Sequence, residues 1–131
     1  MKKVVIIGGG AAGCFAAVQA ARLGKSVLVF EKNERLGRKL RITGKGRCNV
    51  TNNSLTEEHM KNIPVNARFL YSAFSMFDAD DTMNFFEELG VPLKTERGNR
   101  VFPVSDKALD IADGDAVNPQ LCRLLLNHFR C

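Results

Sequence analysis

The six residues Gly8-Gly9-Gly10-Ala11-Ala12-Gly13 constrain this chain more than any other stretch, because of what flanks them. Before them, Lys2 to Ile7 is β-branched and apolar without alternation, the pattern of a strand buried on both faces of a parallel sheet. After them, Ala11 to Leu23 is small and helix-favouring, with Arg22 near its end and Gly24 as its stop. Lys25-Ser26 lead into Val27-Leu28-Val29-Phe30, a second buried strand that ends at Glu31. Strand, glycine turn, helix and strand within about 30 residues form a βαβ unit, which is almost always right-handed.

Gly8, Gly10 and Gly13 stand at the key positions of G-x-G-x-x-G, and each has a physical job. Gly8 permits the sharp strand-to-helix turn. Gly10 lacks a Cβ, so a pyrophosphate can approach the backbone, and Gly13 lets the helix sit close to the strands. The helix start at Ala11 and Ala12 then offers free N–H groups and a partial positive charge to phosphates. Glu31 follows Gly13 by 18 residues. A carboxylate there accepts hydrogen bonds from ribose 2′- and 3′-hydroxyls and repels a 2′-phosphate, which disfavours NADP in this pocket. The fold class expected is α/β, a Rossmann-like βαβ with a parallel sheet, and the ligand class is a dinucleotide. The motif alone does not choose between NAD and FAD, and a glycine turn without a ligand is the plainer alternative.

Charge singles out the next segment. The 131-residue chain carries a formal net charge of +5. The stretch from Glu31 to Arg47 holds the whole excess, with Lys32, Arg35, Arg38, Lys39, Arg41, Lys45 and Arg47 against Glu31 and Glu34. It should attract an anion. Asn33 to Asn53, with Gly37, Gly44 and Gly46 and few large apolar residues, reads as a long ordered loop with one helical turn. A solvated basic face is the plainer alternative here. Nucleic-acid binding is disfavoured because no aromatic residues interleave the run.

Further along, Ser54-Leu55-Thr56-Glu57 has the form of a capping box opening a helix to about Asn62, ended by Pro64. Ala67 to Phe77 is apolar at helical spacing, through Phe69, Leu70, Ala73, Phe74 and Phe77. Asp78 to Asp81 can cap a helix running to Leu89 and stopped by Gly90. Val91 to Glu96, Arg97-Gly98-Asn99 and Arg100 to Val104 read as a β-hairpin, and Ser105-Asp106 starts a further helix. The Phe69/Phe74/Phe77 and Phe85/Phe86 groups are expected in the core rather than against a ligand. No internal repeat is visible.

The segment Leu36-Gly37-Arg38-Lys39-Leu40-Arg41-Ile42-Thr43-Gly44-Lys45-Gly46-Arg47-Cys48-Asn49-Val50-Thr51-Asn52, taken with the glycine motif, resembles the flavoprotein family usually labelled NAD(P)/FAD-dependent oxidoreductases, which includes aminoacetone-oxidase-like and BaiN-like proteins. Arg100-Val101-Phe102-Pro103-Val104-Ser105-Asp106-Lys107-Ala108 resembles it too, and the likeness runs from about Met1 to Ile111. The resemblance implies that Gly8, Gly10, Gly13 and Glu31 hold the ADP part of FAD. It implies that Lys32, Gly37, Arg38 and Lys39 lie along the dinucleotide. Thr43, Gly44 and the Arg47-Cys48-Asn49 stretch would approach the flavin. NAD(P)H would then be a reductant and an unidentified small molecule the substrate. No residue stands out as a general acid or base.

Composition adds limits. Hydrophobic residues make up 45% and charged residues 25% of the chain, ordinary for a soluble globular protein. No apolar run approaches the ~20 residues of a membrane span, and the short run after Met1-Lys2-Lys3 meets glycines rather than a cleavage site, so a cytoplasmic protein is expected. Cys14, Cys48, Cys122 and Cys131 have no C-x-x-C spacing, which suits a reducing compartment. Cys14 reads as a small core residue, while Arg47 and Lys45 beside Cys48 are expected to lower its pKa. His59 and His128 read as solvated or packed side chains. The expected organisation is an N-terminal part of an FAD/NAD(P)-binding domain over 1–111 and a divergent tail over 112–131, in which Leu121, Leu124, Leu125 and Phe129 could form an amphipathic helix after Pro119. Family members are longer and complete the flavin site with a later segment. The expectation is therefore an incomplete domain, from a truncated or frame-disrupted product or a cloned fragment, needing a missing C-terminal segment or a partner chain. An NAD- or ADP-ribose-binding module, or an inactive remnant, are the competing readings.

Overall fold

The computed structural model describes residues 3–112; the expected tail helix with Leu121, Leu124, Leu125 and Phe129, along with His128, Cys122 and Cys131, lies outside the described residues. The βαβ unit forms as expected. Strand β1 (Lys3–Ile7) leads through the glycine turn into helix α1 (Ala11–Arg22), and strand β2 (Ser26–Phe30) pairs with β1 in parallel. Their register, Val4 with Val27 and Ile6 with Val29, aligns one apolar face. That face meets α1, where Ala17, Val27 and Val29 are buried with Ile6, Ala20, Ala21 and Leu36 packed around them. Small side chains on α1 let helix and strands approach closely, which raises dispersion contacts along the whole seam.

The other face of this two-stranded sheet differs from the expectation of a strand covered on both sides. Val5, Ile7 and Phe30 are 57%, 88% and 50% exposed. Burial along β1 alternates although its sequence does not, so the sheet is incomplete as it stands among the described residues. An uninterrupted apolar strand is the residue pattern of a sheet with layers on both sides, and here α1 supplies one layer.

A second unit follows. Strands β3 (Thr51–Asn52), β4 (Leu93–Glu96) and β5 (Arg100–Pro103) form an antiparallel sheet in the order β3-β5-β4. The hairpin of β4 and β5 is the one expected; β3 lies inside the stretch read as loop, because two polar residues carry no alternation to read. Helix α2 (Thr56–Lys61), helix α3 (Tyr71–Met76), helix α4 (Ala79–Glu88) and helix α5 (Ala108–Ala112) complete the fold. Cys48, Val91, Ala108 and Ile111 form the core of this unit, with Leu40, Val50, Phe86 and Leu93 around it. The two units meet through aromatic rings. Phe15 of α1 packs edge-on against Phe77 and Phe85 at 4.9 and 5.1 Å, and Phe86 continues the cluster, a preferred geometry for ring quadrupoles.

Three local expectations are corrected. The capping box at Ser54 does not form: α2 starts at Thr56, so Leu55 takes the N-cap position without a side-chain cap and Ser54 lies one residue outside it, its hydroxyl donating to the Asn52 side-chain oxygen. The helix expected over Ala67 to Phe77 is split into a 3₁₀ turn at Ala67–Leu70 and the six residues of α3. Three residues per turn rather than 3.6 rotate Phe69 off the face that Phe74 and Phe77 share, leaving Phe69 82% exposed instead of in the core. The last helix begins at Ala108, not at Ser105. At α4 the expectation holds. Asp78 and Asp81 cap each other's backbone amides at 3.0 Å, and Leu89-Gly90 end the helix. Among the described residues no helix is long and apolar enough to cross a membrane.

Candidate functional site

The site is built at the carboxyl ends of β1 and β2. Gly8 adopts φ +101, a conformation L side chains rarely reach, and its amide donates to the Phe30 carbonyl at 2.7 Å. This bond keeps the turn beside the end of β2. The next amide, of Gly9, donates to Glu31 Oε2 at 2.6 Å. The other carboxylate oxygen accepts from the Asn33 backbone amide at 2.8 Å and from the Asn33 side chain. Gly37 N–H closes the loop over the turn by donating to the Gly9 carbonyl at 2.7 Å. Glu31 is therefore a cross-brace between two strands as well as a candidate ribose ligand.

The glycines differ in what a side chain would meet. A Cβ on Gly13 would lie 1.9 Å from the Gly8 carbonyl oxygen, so backbone forbids it. A Cβ on Gly10 would meet nothing within 4 Å. It would project into the open space at the start of α1, where Gly10 is the N-cap, no side chain caps the helix, and the first turn holds no acid. The first amides of a helix have no intrahelical acceptor, so this end is suited to an anion. Gly9, which the motif leaves unspecified, is the residue that pattern reasoning missed: a Cβ there would press on Leu36 at 2.1 Å and on Glu31 at 3.2 Å. The signal was the unbroken row of three glycines, where the motif requires only two. Asn33 was missed too, for its small polar side chain carries no spacing rule.

Electrostatics follow from these bonds. The Gly9 amide first, then the Asn33 amide, hold the Glu31 carboxyl below its ordinary value of 4.5. Beside it, Lys32, Asn33, Glu34, Arg35, Arg38 and Arg41 line a hollow of about 430 Å³. Arg38 donates to the Asn33 side chain at 3.2 Å and Arg41 Nε to the Leu36 carbonyl at 3.1 Å. Lys32, Arg38 and Lys39 are exposed.

The structure gathers Gly8, Gly10, Ala11, Ala12, Gly13, Glu31 and Gly37 at this turn, with Lys32 and Arg38 lining the hollow beside Glu31 and Lys39 exposed next to Arg38 in the chain. Thr43, Gly44, Arg47, Cys48 and Asn49 lie apart, folded onto the hairpin. Thr43 Oγ1 donates to the Leu40 carbonyl at 2.9 Å. With its amide nitrogen facing the carbonyls, Asn49 donates to Val101 and Thr51 at 3.1 and 3.0 Å. Arg47 binds Glu96 and Asp106, so it is not free to lend charge to Cys48. The expectation of a lowered Cys48 pKa is corrected: the thiol is 2% exposed and burial pushes its pKa up, outweighing a hydrogen bond with Thr43. Cys14 is half-buried, donates to the Gly9 carbonyl at 3.3 Å, and is likewise pushed up by burial and then by Glu31. His59 is packed, with its ring 5.3 Å from that of Phe74. No group of three or more metal-ligating side chains occurs among the described residues.

A sequence profile described as the HI0933-like protein Rossmann domain matches residues 2–119. The chain belongs to the HI0933-like family. It is 36% identical over 115 residues to the 3-dehydro-bile acid Δ(4,6)-reductase of Clostridium scindens, covering 86% of this chain and 27% of that protein. It is 38% identical over 98 residues to the ribosomal RNA dihydrouridine synthase of Haemophilus influenzae, covering 75% of this chain and 24% of the relative. The Escherichia coli ribosomal RNA dihydrouridine synthase is 33% identical over 109 residues, 83% of this chain and 26% of its own length. The chain thus spans about a quarter of the length of these relatives. It is a Rossmann-type nucleotide-binding domain of a flavoprotein family.

Two outcomes follow for this HI0933-like domain. Gly13→Ala is expected to cost about 2 kcal/mol or more by forcing helix from strand, while Gly10→Ala stays within about 1 kcal/mol of the parent; urea melts of both variants check this. For Glu31 the folded carboxyl has the lower pKa, so its contribution is present above about pH 4.5 and is lost as pH falls through the lowered value. Thermal melts from pH 7 to pH 3 should show Glu31→Gln less stable than the parent at neutral pH, with the gap closing in acid.

Proposed function

We propose that this chain holds the ADP part of FAD, as the N-terminal portion, residues 1–111, of a flavin-dependent oxidoreductase. The observation that carries the reading is the fixed carboxylate of Glu31 beside a glycine turn with open space at Gly10. Both Glu31 oxygens are anchored by amides: Oε1 is filled by the two Asn33 donors, while Oε2, which accepts from Gly9 alone, retains a lone pair for a ribose hydroxyl. The anchoring also means that the carboxylate need not be ordered when the ribose arrives, which lowers the cost of binding. The pyrophosphate would take the uncapped amides of Ala11, Ala12 and Gly13, approaching over Gly10. Lys32, Arg38, Lys39 and the Gly37 turn would lie along the dinucleotide and neutralise its charge. The loop carrying Thr43, Gly44, Arg47, Cys48 and Asn49 would lie toward the flavin.

The choice of flavin over a nicotinamide dinucleotide is supported by membership of a flavoprotein family. When bound, the flavin supplies the electron-transfer chemistry; the protein supplies binding, orientation and electrostatics. NAD(P)H is the reductant this reading implies for the whole protein, and its substrate a small molecule or a base that accepts hydride.

Calorimetric titration tests the ribose assignment. ADP should bind at least tenfold tighter than the same nucleotide bearing a 2′-phosphate. Glu31→Gln should weaken ADP by about 10- to 100-fold, the worth of a charge-assisted hydrogen bond of about 1.5–3 kcal/mol, and should narrow the preference. Equal binding of the two nucleotides by the parent chain would contradict the assignment.

A further inference from the structure

Arg47 sits in the loop that the proposed function turns toward the flavin, yet its guanidinium is spent elsewhere. Nε and one terminal nitrogen donate to Asp106 Oδ1 at 2.8 and 2.6 Å, and that same terminal nitrogen meets Glu96 Oε1 at 2.5 Å. Lys94 closes the cluster, reaching Asp106 Oδ2 at 2.7 Å and Glu96 Oε1 at 3.4 Å. Two cations and two carboxylates cancel, so Arg47 adds nothing net to the attraction of an anion. The guanidinium also lies over the Phe102 ring, 4.1 Å from its centroid, a cation–π contact that fixes the plane of the fork.

The partners come from the hairpin side of the fold: Glu96 ends β4, Phe102 is on β5, and Asp106 precedes α5. The backbone around Arg47 needs such a hold. Gly44, Lys45, Gly46 and Cys48 all have positive φ, from +55 to +84. Two of them are non-glycine residues in a conformation that side chains disfavour. The turn is closed by Arg47 N–H to the Gly44 carbonyl at 3.2 Å and Cys48 N–H to the Thr43 carbonyl at 3.0 Å. Phe102 supports it from below, for a Cβ on Gly44 would meet Phe102 Cε1 at 3.3 Å.

We propose that Arg47 is a positioning residue: through Glu96, Asp106 and Phe102 it clamps the Thr43–Asn49 loop to the hairpin, and so presents that loop's backbone to the flavin end of the dinucleotide without touching the cofactor itself. The inference rests on the FAD reading given above, and its test separates the two. Charge pairs this exposed contribute little to global stability, so the clamp acts on the shape of one loop. Breaking it should weaken the flavin end of the ligand and leave the ADP end alone.

The experiment is a thermodynamic cycle on the full 131-residue chain, with FAD affinity read by flavin fluorescence and ADP affinity by calorimetry. Arg47→Met, the pair Glu96→Gln with Asp106→Asn, and the triple variant are compared with the parent. The expected result is a loss of about tenfold in FAD affinity for Arg47→Met and for the acid pair alike, no further loss in the triple variant, and unchanged ADP affinity throughout. An Arg47→Met loss that the acid pair does not reproduce would make Arg47 a direct ligand and overturn the proposal. FAD and ADP affinities falling together would also overturn it, as the signature of a general structural role. Should Arg47→Met fail to melt cooperatively, the acid pair carries the same comparison. Should the parent bind neither ligand, the FAD reading falls, and hydrogen exchange still decides the clamp: the Cys48 amide must exchange at least tenfold faster in the acid-pair variant, and an unchanged rate overturns it.

Discussion

The bond from the Gly9 amide to the Glu31 carboxylate, 2.6 Å long, ties the end of β1 to the end of β2 at the point where a nucleotide would lie. Everything near it depends on that tie. The Gly8 amide on the Phe30 carbonyl sets the turn beside β2, the Gly37 amide on the Gly9 carbonyl brings the basic loop over it, and Leu36 fills the space that a side chain on Gly9 would need. A backbone donor is a fixed donor, so the carboxylate is held ionised and oriented before any ligand arrives. Preorganisation of this kind is what converts a hydrogen bond to a ribose into useful affinity.

The rest of the candidate site is arranged by charge. Seven basic residues between Glu31 and Arg47 look uniform in sequence, but the fold divides them. Lys32, Arg35, Arg38 and Arg41 line the hollow beside Glu31. Arg47 is neutralised by Glu96 and Asp106. The attraction for an anion is thus concentrated near the glycine turn, while the distal loop is held by internal pairs. One run of sequence serves two purposes because its partners lie 49 and 59 residues away.

That separation also explains which features were legible in the sequence. Gly8, Gly13 and Glu31 could be read because each obeys a local rule: a turn, a close approach, a strand end. The Asp78 cap, the Gly90 stop and the hairpin around Gly98 are local as well. Gly9 was not singled out, because its need comes from Leu36 and Glu31, distant in sequence and pressed together by the loop. Cys48 was misread since its neighbours in sequence, Arg47 above all, are not its neighbours in energy. Ser54 had the right pattern, but α2 starts one residue later and leaves Leu55 at the N-cap. Phe69 followed helical spacing in a segment that folds as a 3₁₀ turn. The unalternating apolar β1 announced a sheet covered on two sides, and one side is open in a chain about a quarter as long as its relatives.

The glycine turn and Glu31 are proposed to receive the ADP end of FAD. A titration of ¹⁵N-labelled protein with FAD, followed amide by amide in two-dimensional NMR spectra, tests it most directly. The expected result is saturable shifts concentrated at Gly8 to Gly13 and at Glu31 to Asn33, reproduced at those positions by ADP alone, with further shifts from FAD in the Thr43 to Asn49 loop. Shifts confined to other surfaces, or none at the glycine turn with saturating FAD, would contradict it.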